Sequence, residues 1–257
     1  TLMLPQELSY GDYELHEVKS PDGYVLDENP VPFTIDGTDK TVVVEKYNTA
    51  QKGRISIQKS GDTFSSVTAL GSAIYIDENG EVHESGQTTY TPVFNEVGLS
   101  GAVYQVIASE DIVTAEGTVR ANAGEKVAEL TTDENGYAET DLLYLGKYEI
   151  REITAPYGYV LNTEPQLVEL SYAGQEVSVR DTVNTSFVND YQSIEISLEK
   201  FMEQDEAFGI GMNSEYKNVR FGLFAAEDIT AANGTSIPAG GLISEISLEE
   251  DMSAQFD

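Results

Sequence analysis

Three residue types in fixed order could do chemistry in this chain: a lysine closing an opening strand, a glutamate inside a later strand, and an asparagine closing a last one. In Ile55-Ser-Ile57-Gln-Lys59 alternate residues share a face, so Lys59 follows Ile55 and Ile57 inward, while Arg54, Ser56 and Gln58 face water. In Tyr148-Glu-Ile150-Arg-Glu152 the carboxylate of Glu152 points with Tyr148 and Ile150. Asn189 sits near the end of Thr185-Ser-Phe187-Val-Asn189-Asp190. Burying a charge without a partner is costly, so two inward charges imply a device. Burial lowers the pKa of an amine and raises that of a carboxyl. Together they can exist as a neutral amine beside a neutral acid, titrating as a pair. A neutral amine is a nucleophile, and the acid can polarise a carboxamide and shuttle protons. A fold that holds the reactants at contact supplies much of the barrier reduction. The product would be a Lys–Asn amide with loss of one ammonia, formed once per molecule.

The elements that must position these groups recur along the chain, and repeats bound the architecture before anything else. Tyr13-Glu-Leu15-His-Glu17 followed by Pro21, Gly23 and Tyr24 matches Tyr148 to Glu152 followed by Pro156, Gly158 and Tyr159 at a constant offset of 135 residues. Each strand breaks where Pro fixes φ and Gly permits a positive one. Asn48 precedes Lys59 by eleven residues, and Asn189 precedes Lys200 by eleven. Ile194, Ile196, Leu198 and Lys200 repeat the opening strand, and Val219 to Ile229 repeats Ala102 to Ile112. The expected organisation is a C-terminal half-unit over 1–49, a complete unit over 50–190 with a Ser/Thr-rich insertion at about 62–98, and an N-terminal half-unit over 191–257. Asn184 is an alternative acceptor to Asn189, and the eleven-residue spacing favours Asn189.

The β-branched residues run in short alternating stretches between turns, which predicts an all-β chain. The turns Asp77-Glu-Asn79-Gly80 and Asp133-Glu-Asn135-Gly136 predict hairpins. They lack the acidic ligands of a calcium loop, and His16 and His83 are unpaired, so no metal or other cofactor is expected. Acidic residues number 45 and basic residues 14, for a net charge of −31. Such a surface repels nucleic-acid phosphates and anionic membranes. The sequence contains no cysteine, so disulfides and thiolate metal sites are excluded. No secretory signal or membrane span is legible, and Thr1 points to an internal piece of a longer protein. No hydrolase triad or phosphate loop is present.

The motif Tyr148-x-x-x-Glu152-x-x-Ala155-Pro156-x-Gly158-Tyr159 resembles the E-box of the collagen-adhesin B-type (CnaB, SpaA-like) domains of Gram-positive surface adhesins and pilins. The opening strand ending in Lys59 and the closing strand ending in Asn189 are similar to that family's pattern. The first copy carries Ser20 where the family usually has Ala. The resemblance implies tandem prealbumin-like (Ig-like) β-sandwiches, one complete and two partial. It implies an isopeptide bond between Lys59 and Asn189 with Glu152 as catalytic acid. Glu17 with Asn48, and Lys200, would be parts of further sets. The implied role is structural and not enzymatic: a monomeric stalk segment of an extracellular, wall-anchored adhesin or pilus-like protein. Host matrix proteins or glycans would be met by other parts of the parent protein. The alternative is a binding module that meets such partners through the 62–98 insertion.

Overall fold

The structure is a computed structural model that describes residues 8–38, 41–71, 73–76, 82–209, 219–249 and 251–256. The Asp77–Gly80 turn and the side chain of His83 lie outside the described residues. Among the described residues there are strands and turns and no helix. In chain order the first strands are β1 (Gly11–Leu15), β2 (Val31–Ile35), β3 (Lys52–Gly53), β4 (Ile55–Leu70), β5 (Ala73–Ile76), β6 (Val82–Ser85) and β7 (Thr89–Gly98). The middle of the chain forms β8 (Val103–Ala108), β9 (Ile112–Val113), β10 (Val119–Ala121), β11 (Lys126–Thr131), β12 (Tyr137–Glu139), β13 (Leu143–Tyr144), β14 (Gly146–Thr154), β15 (Gln166–Leu170) and β16 (Val183–Asn189). The last strands are β17 (Ile196–Glu199), β18 (Arg220–Phe224), β19 (Ile229–Thr230), β20 (Ser236–Ile237), β21 (Leu242–Ser247) and β22 (Ser253–Phe256).

The chain packs as two compact units. The first takes Thr1–Ser60, Gly98–Tyr157 and Leu161–Val188, and the second takes Gly61–Val97, Gly158–Val160 and Asn189–Asp257. In the first unit, one sheet runs β11-β8-β14-β15. Facing it, the start of β4 is flanked by β12 and β16. Val183 N–H donates to the Arg54 carbonyl (3.0 Å) and Thr185 Oγ1 to that of Ser56 (2.9 Å). The two contacts climb together, so β4 and β16 run parallel. Alternate residues of both sheets fill the core: Ile55 and Ile57, Tyr104 and Val106, Tyr148 and Ile150, Val168 and Leu170, and Phe187. That is the inner layer of a sandwich, where period-2 side chains from two sheets interdigitate.

Ser56 corrects the expectation that it faces water, for it is 2 % exposed. Its hydroxyl donates to Asn184 Oδ1 at 2.5 Å, and β12 and β16 cover it from both sides. A short polar side chain on a central strand can satisfy itself beneath its neighbours.

In the second unit, the far part of β4 leads to β7, then β21 and β18. Leu242 pairs in parallel with Thr89, the Ala232 N–H donates to the Phe64 carbonyl (3.0 Å), and the Val67 N–H donates to Thr235 Oγ1 (2.9 Å). The insertion thus packs with residues of the third repeat. Strand pairs of that stretch match pairs within 50–190. Strands β18 and β21 pair antiparallel as β8 and β11 do, and β17 pairs with β22 as β4 pairs with β12.

Candidate functional site: a buried lysine–glutamate pair

Lys59 is placed by its backbone. Its N–H donates to the Gly136 carbonyl (2.7 Å) and its own carbonyl accepts from Leu99 N–H (3.0 Å). Gly136 closes the Asp133–Gly136 turn with φ 76°, and a Cβ there would collide with the Lys59 carbonyl oxygen. Only glycine allows this approach at that dihedral. With the strand pinned, alternation sends the Lys59 side chain inward after Ile55 and Ile57, and it is 0 % exposed.

Glu152 comes from the opposite sheet. It shares its face of β14 with Tyr148 and Ile150 and is 5 % exposed. A β-bulge between Glu152 and Thr154 bends the strand just past it. Lys59 Nζ stands 3.6 Å from Glu152 Oε1 with both side chains fully buried. Burial pulls the Lys59 amine below its ordinary value of 10.5, while the Glu152 charge opposes that shift. Desolvation disfavours the charged amine, and the carboxylate only partly restores it.

Two partners of Glu152 were not foreseen. Tyr104 lies opposite it on β8 and its hydroxyl donates to Oε1 at 3.4 Å. Burial first, then the Glu152 charge, pushes the Tyr104 phenol well above its ordinary range. The backbone N–H of Asn162 donates to Oε2 at 2.8 Å. The second partner was legible in principle: Asp27 N–H donates to Glu17 Oε2 at 2.9 Å, and both donors lie ten residues after their glutamate.

Asn189 closes β16. It follows Phe187 on the inward face and is 2 % exposed. Phe187 packs on Tyr104 with ring centroids 4.8 Å apart. Asn184, by contrast, is exposed and tied to Ser56.

The family profile described as "SpaA: Prealbumin-like fold domain" matches residues 2–60 and 94–183, more than half of the chain. The chain belongs to this family. The SpaA match passes over residues 61–93, most of the insertion. No sequence among curated proteins matches the chain. Among solved structures, the Bacillus anthracis TIE protein is similar over 97 % of this chain and 34 % of its own, at 22 % identity and TM-score 0.54. That likeness shows the fold, and the chain spans about a third of that protein's length. The major pilin SpaD from Corynebacterium diphtheriae aligns over 57 % of this chain and 31 % of its own (18 % identity, TM-score 0.31). BcpA, the major pilin subunit of Bacillus cereus, aligns over 72 % and 86 % (17 % identity, TM-score 0.26).

The stretches before and after 50–190 hold parts of the same arrangement. In the first, Asn48 Nδ2 donates to both carboxylate oxygens of Glu17, at 2.9 and 2.7 Å, and both residues are half-buried. The stretch 41–48 pairs with no strand among the described residues, whereas β16 pairs with β4. In the other, Lys200 N–H donates to the Met252 carbonyl (3.0 Å), as Lys59 does to Gly136, but its side chain is exposed. The structure therefore brings together Lys59 with Glu152, and Glu17 with Asn48, and leaves Lys200 in solvent.

Proposed function

We propose that this chain is a structural segment of an extracellular, wall-anchored surface adhesin or pilus-like shaft, stiffened by an isopeptide bond that it makes itself. The repeat units are 1–49, 50–190 and 191–257. The observation that carries this reading is the fully buried Lys59–Glu152 pair inside one sandwich. Neither charge has a stabilising reason to be there that an apolar pair would not serve better.

In this reading the neutral Lys59 amine attacks the carboxamide carbon of Asn189. Glu152 gives a proton to the carboxamide and takes one from the lysine nitrogen as the tetrahedral adduct forms. The new C–N bond to Lys59 replaces the bond to the Asn189 nitrogen, which leaves as ammonia. Glu152 returns to its starting protonation state, so the step balances. Tyr104 and the Asn162 N–H hold the carboxyl in place. Asn189 follows Phe187 on the inward face of a strand parallel to the one bearing Lys59, which supports its role as acceptor. Glu17 with Asn48, and Lys200, are the acid, acceptor and amine of further sets.

The packing of the insertion against residues 232–242 supports a structural use for it over ligand display. The test is intact mass. The wild-type chain should weigh one ammonia less than its sequence, with a branched Lys59–Asn189 peptide after proteolysis, and Glu152→Ala should restore the full mass. A wild-type chain at full sequence mass would sink the cross-link.

A further inference from the structure

Where the first repeat runs into the second stands a buried glutamine that no chemistry above uses. Gln51 is 1 % exposed. Its Nε2 donates to the carbonyls of Gly174 (2.9 Å) and Val177 (2.6 Å), and its Oε1 accepts from Ala173 N–H (2.8 Å). All three groups lie on the loop between β15 and β16. The E-box loop of the first repeat docks on the same loop. Ser20 N–H donates to Gln175 Oε1 (3.0 Å), Leu26 N–H to the Gln175 carbonyl (2.9 Å), and the Tyr172 hydroxyl to the Tyr24 carbonyl (3.3 Å). Ser20, the residue that departs from the family's Ala, is 3 % exposed here, and its hydroxyl donates to the Tyr24 carbonyl (3.0 Å).

The presenting half of this joint occurs twice. Val25 N–H donates to the Thr49 carbonyl (2.9 Å) and Gln51 N–H to that of Gly23 (2.8 Å). In the second copy Val160 N–H donates to the Asp190 carbonyl (3.0 Å) and Gln192 N–H to that of Gly158 (2.8 Å). Bridges Tyr24–Ala50 and Tyr159–Tyr191 complete the likeness. Both copies read Asn-x-x-Gln, with the opening-strand lysine eight residues after the glutamine. The E-box loop therefore clasps the linker, and the clasp sets the glutamine. In the second copy Gln192 is exposed.

We propose that this element is the joint between successive repeats: the glutamine three residues after the terminal asparagine latches onto the β15–β16 loop of the next repeat. Gln51 engages the loop Ala173–Val177, and Gln192 holds the same place at the start of the third repeat. Every contact named is between neutral groups. That suits a chain of net charge −31, since hydrogen bonds between neutral groups are little affected by the salt that screens charges.

The test is amide hydrogen exchange on the whole chain, with Gln51→Leu, which keeps the size and removes the hydrogen bonds. The amides of Ala173, Ser20 and Leu26 should exchange about tenfold faster or more, while those of Ile57, Val106 and Ile150 keep their wild-type rates. Protection at the three joint amides should be the same at low and high salt. Gln192→Leu should leave all six unchanged. Wild-type protection at Ser20 and Leu26 in Gln51→Leu would overturn the latch. So would equal acceleration of the core amides, which would make Gln51 a support of the fold alone. Gln175→Leu gives an independent reading, since it should speed exchange at Ser20 and spare Ala173. Unchanged exchange at Ser20 in that variant also counts against the joint.

Discussion

Lys59 shows what a buried amine costs when nothing consumes its charge. In Asn189→Ala no cross-link can form and the amine stays free. Burial holds it below 10.5, so the unfolded chain binds more protons between the folded value and 10.5. Stability therefore rises with pH across that window. Asn189→Ala should gain stability relative to Lys59→Met/Asn189→Ala on going from about pH 7 to about pH 10, measured by denaturant midpoints, since groups common to both cancel. A flat difference would show that the amine is not desolvated. The inward direction of both charged groups was legible from the strand period alone. Tyr104 was not, because period fixes the face of a residue and not the residue across from it. Glu152 meets Tyr104 through the register of β8 on β14.

At the scale of elements, the third repeat tests how far the copies are alike. Met252 N–H donates to the Glu249 carbonyl (3.0 Å) and Glu249 N–H to that of Ser253 (2.8 Å), as Gly136 does to Asp133 and Asp133 to Tyr137. Met252 thus occupies the place of Gly136, with φ 62° against 76°. A side chain in the left-handed region is strained, and glycine relieves that while losing more entropy on folding. Met252→Gly should stabilise the pairing of β17 with β22 by roughly 0.5–1 kcal/mol. Exchange at Lys200 N–H, which donates to the Met252 carbonyl, reports it. Faster exchange there would mean that the methionine side chain contributes more by packing than its dihedral costs. The turn at Asp133–Gly136 follows its Asp-x-Asn-Gly sequence, and its Asp133 carboxylate accepts from the Asn135 and Tyr137 amides (2.8 and 2.9 Å), but the expected hairpin is absent: β11 and β12 on either side of it join different sheets. The same turn around Met252 was not read, because its chemistry departs from the rule.

Across the whole molecule, joining position 59 to position 189 closes a loop of about 130 residues, worth roughly 5 kcal/mol through the unfolded state. Asn189→Ala should lower the unfolding free energy by about that amount. In the proposed cross-linked state a pull on the ends would also run through the covalent bond. At roughly 3.5 Å per extended residue, on the order of 450 Å of chain would never extend in the wild type and would appear in Asn189→Ala. Single-molecule stretching distinguishes the two, and full extension of the wild-type chain would end the mechanical account. No helix among the described residues is long and apolar enough to cross a membrane.

By itself the sequence determined the β class, the repeats, the inward faces of Lys59 and Glu152, and the glycine turns. Each follows from short-range rules: a period of two, fixed offsets, and the dihedrals that glycine and proline allow. Tertiary structure alone decided that Ser56 is covered, that Tyr104 holds Glu152, that the insertion pairs with the third repeat, and that Gln51 reaches a loop more than 120 residues away. Those pairings join segments remote in sequence. An isolated strand carries the same hydrogen-bonding groups along both edges, and only the packed sheet chooses which edge meets which neighbour.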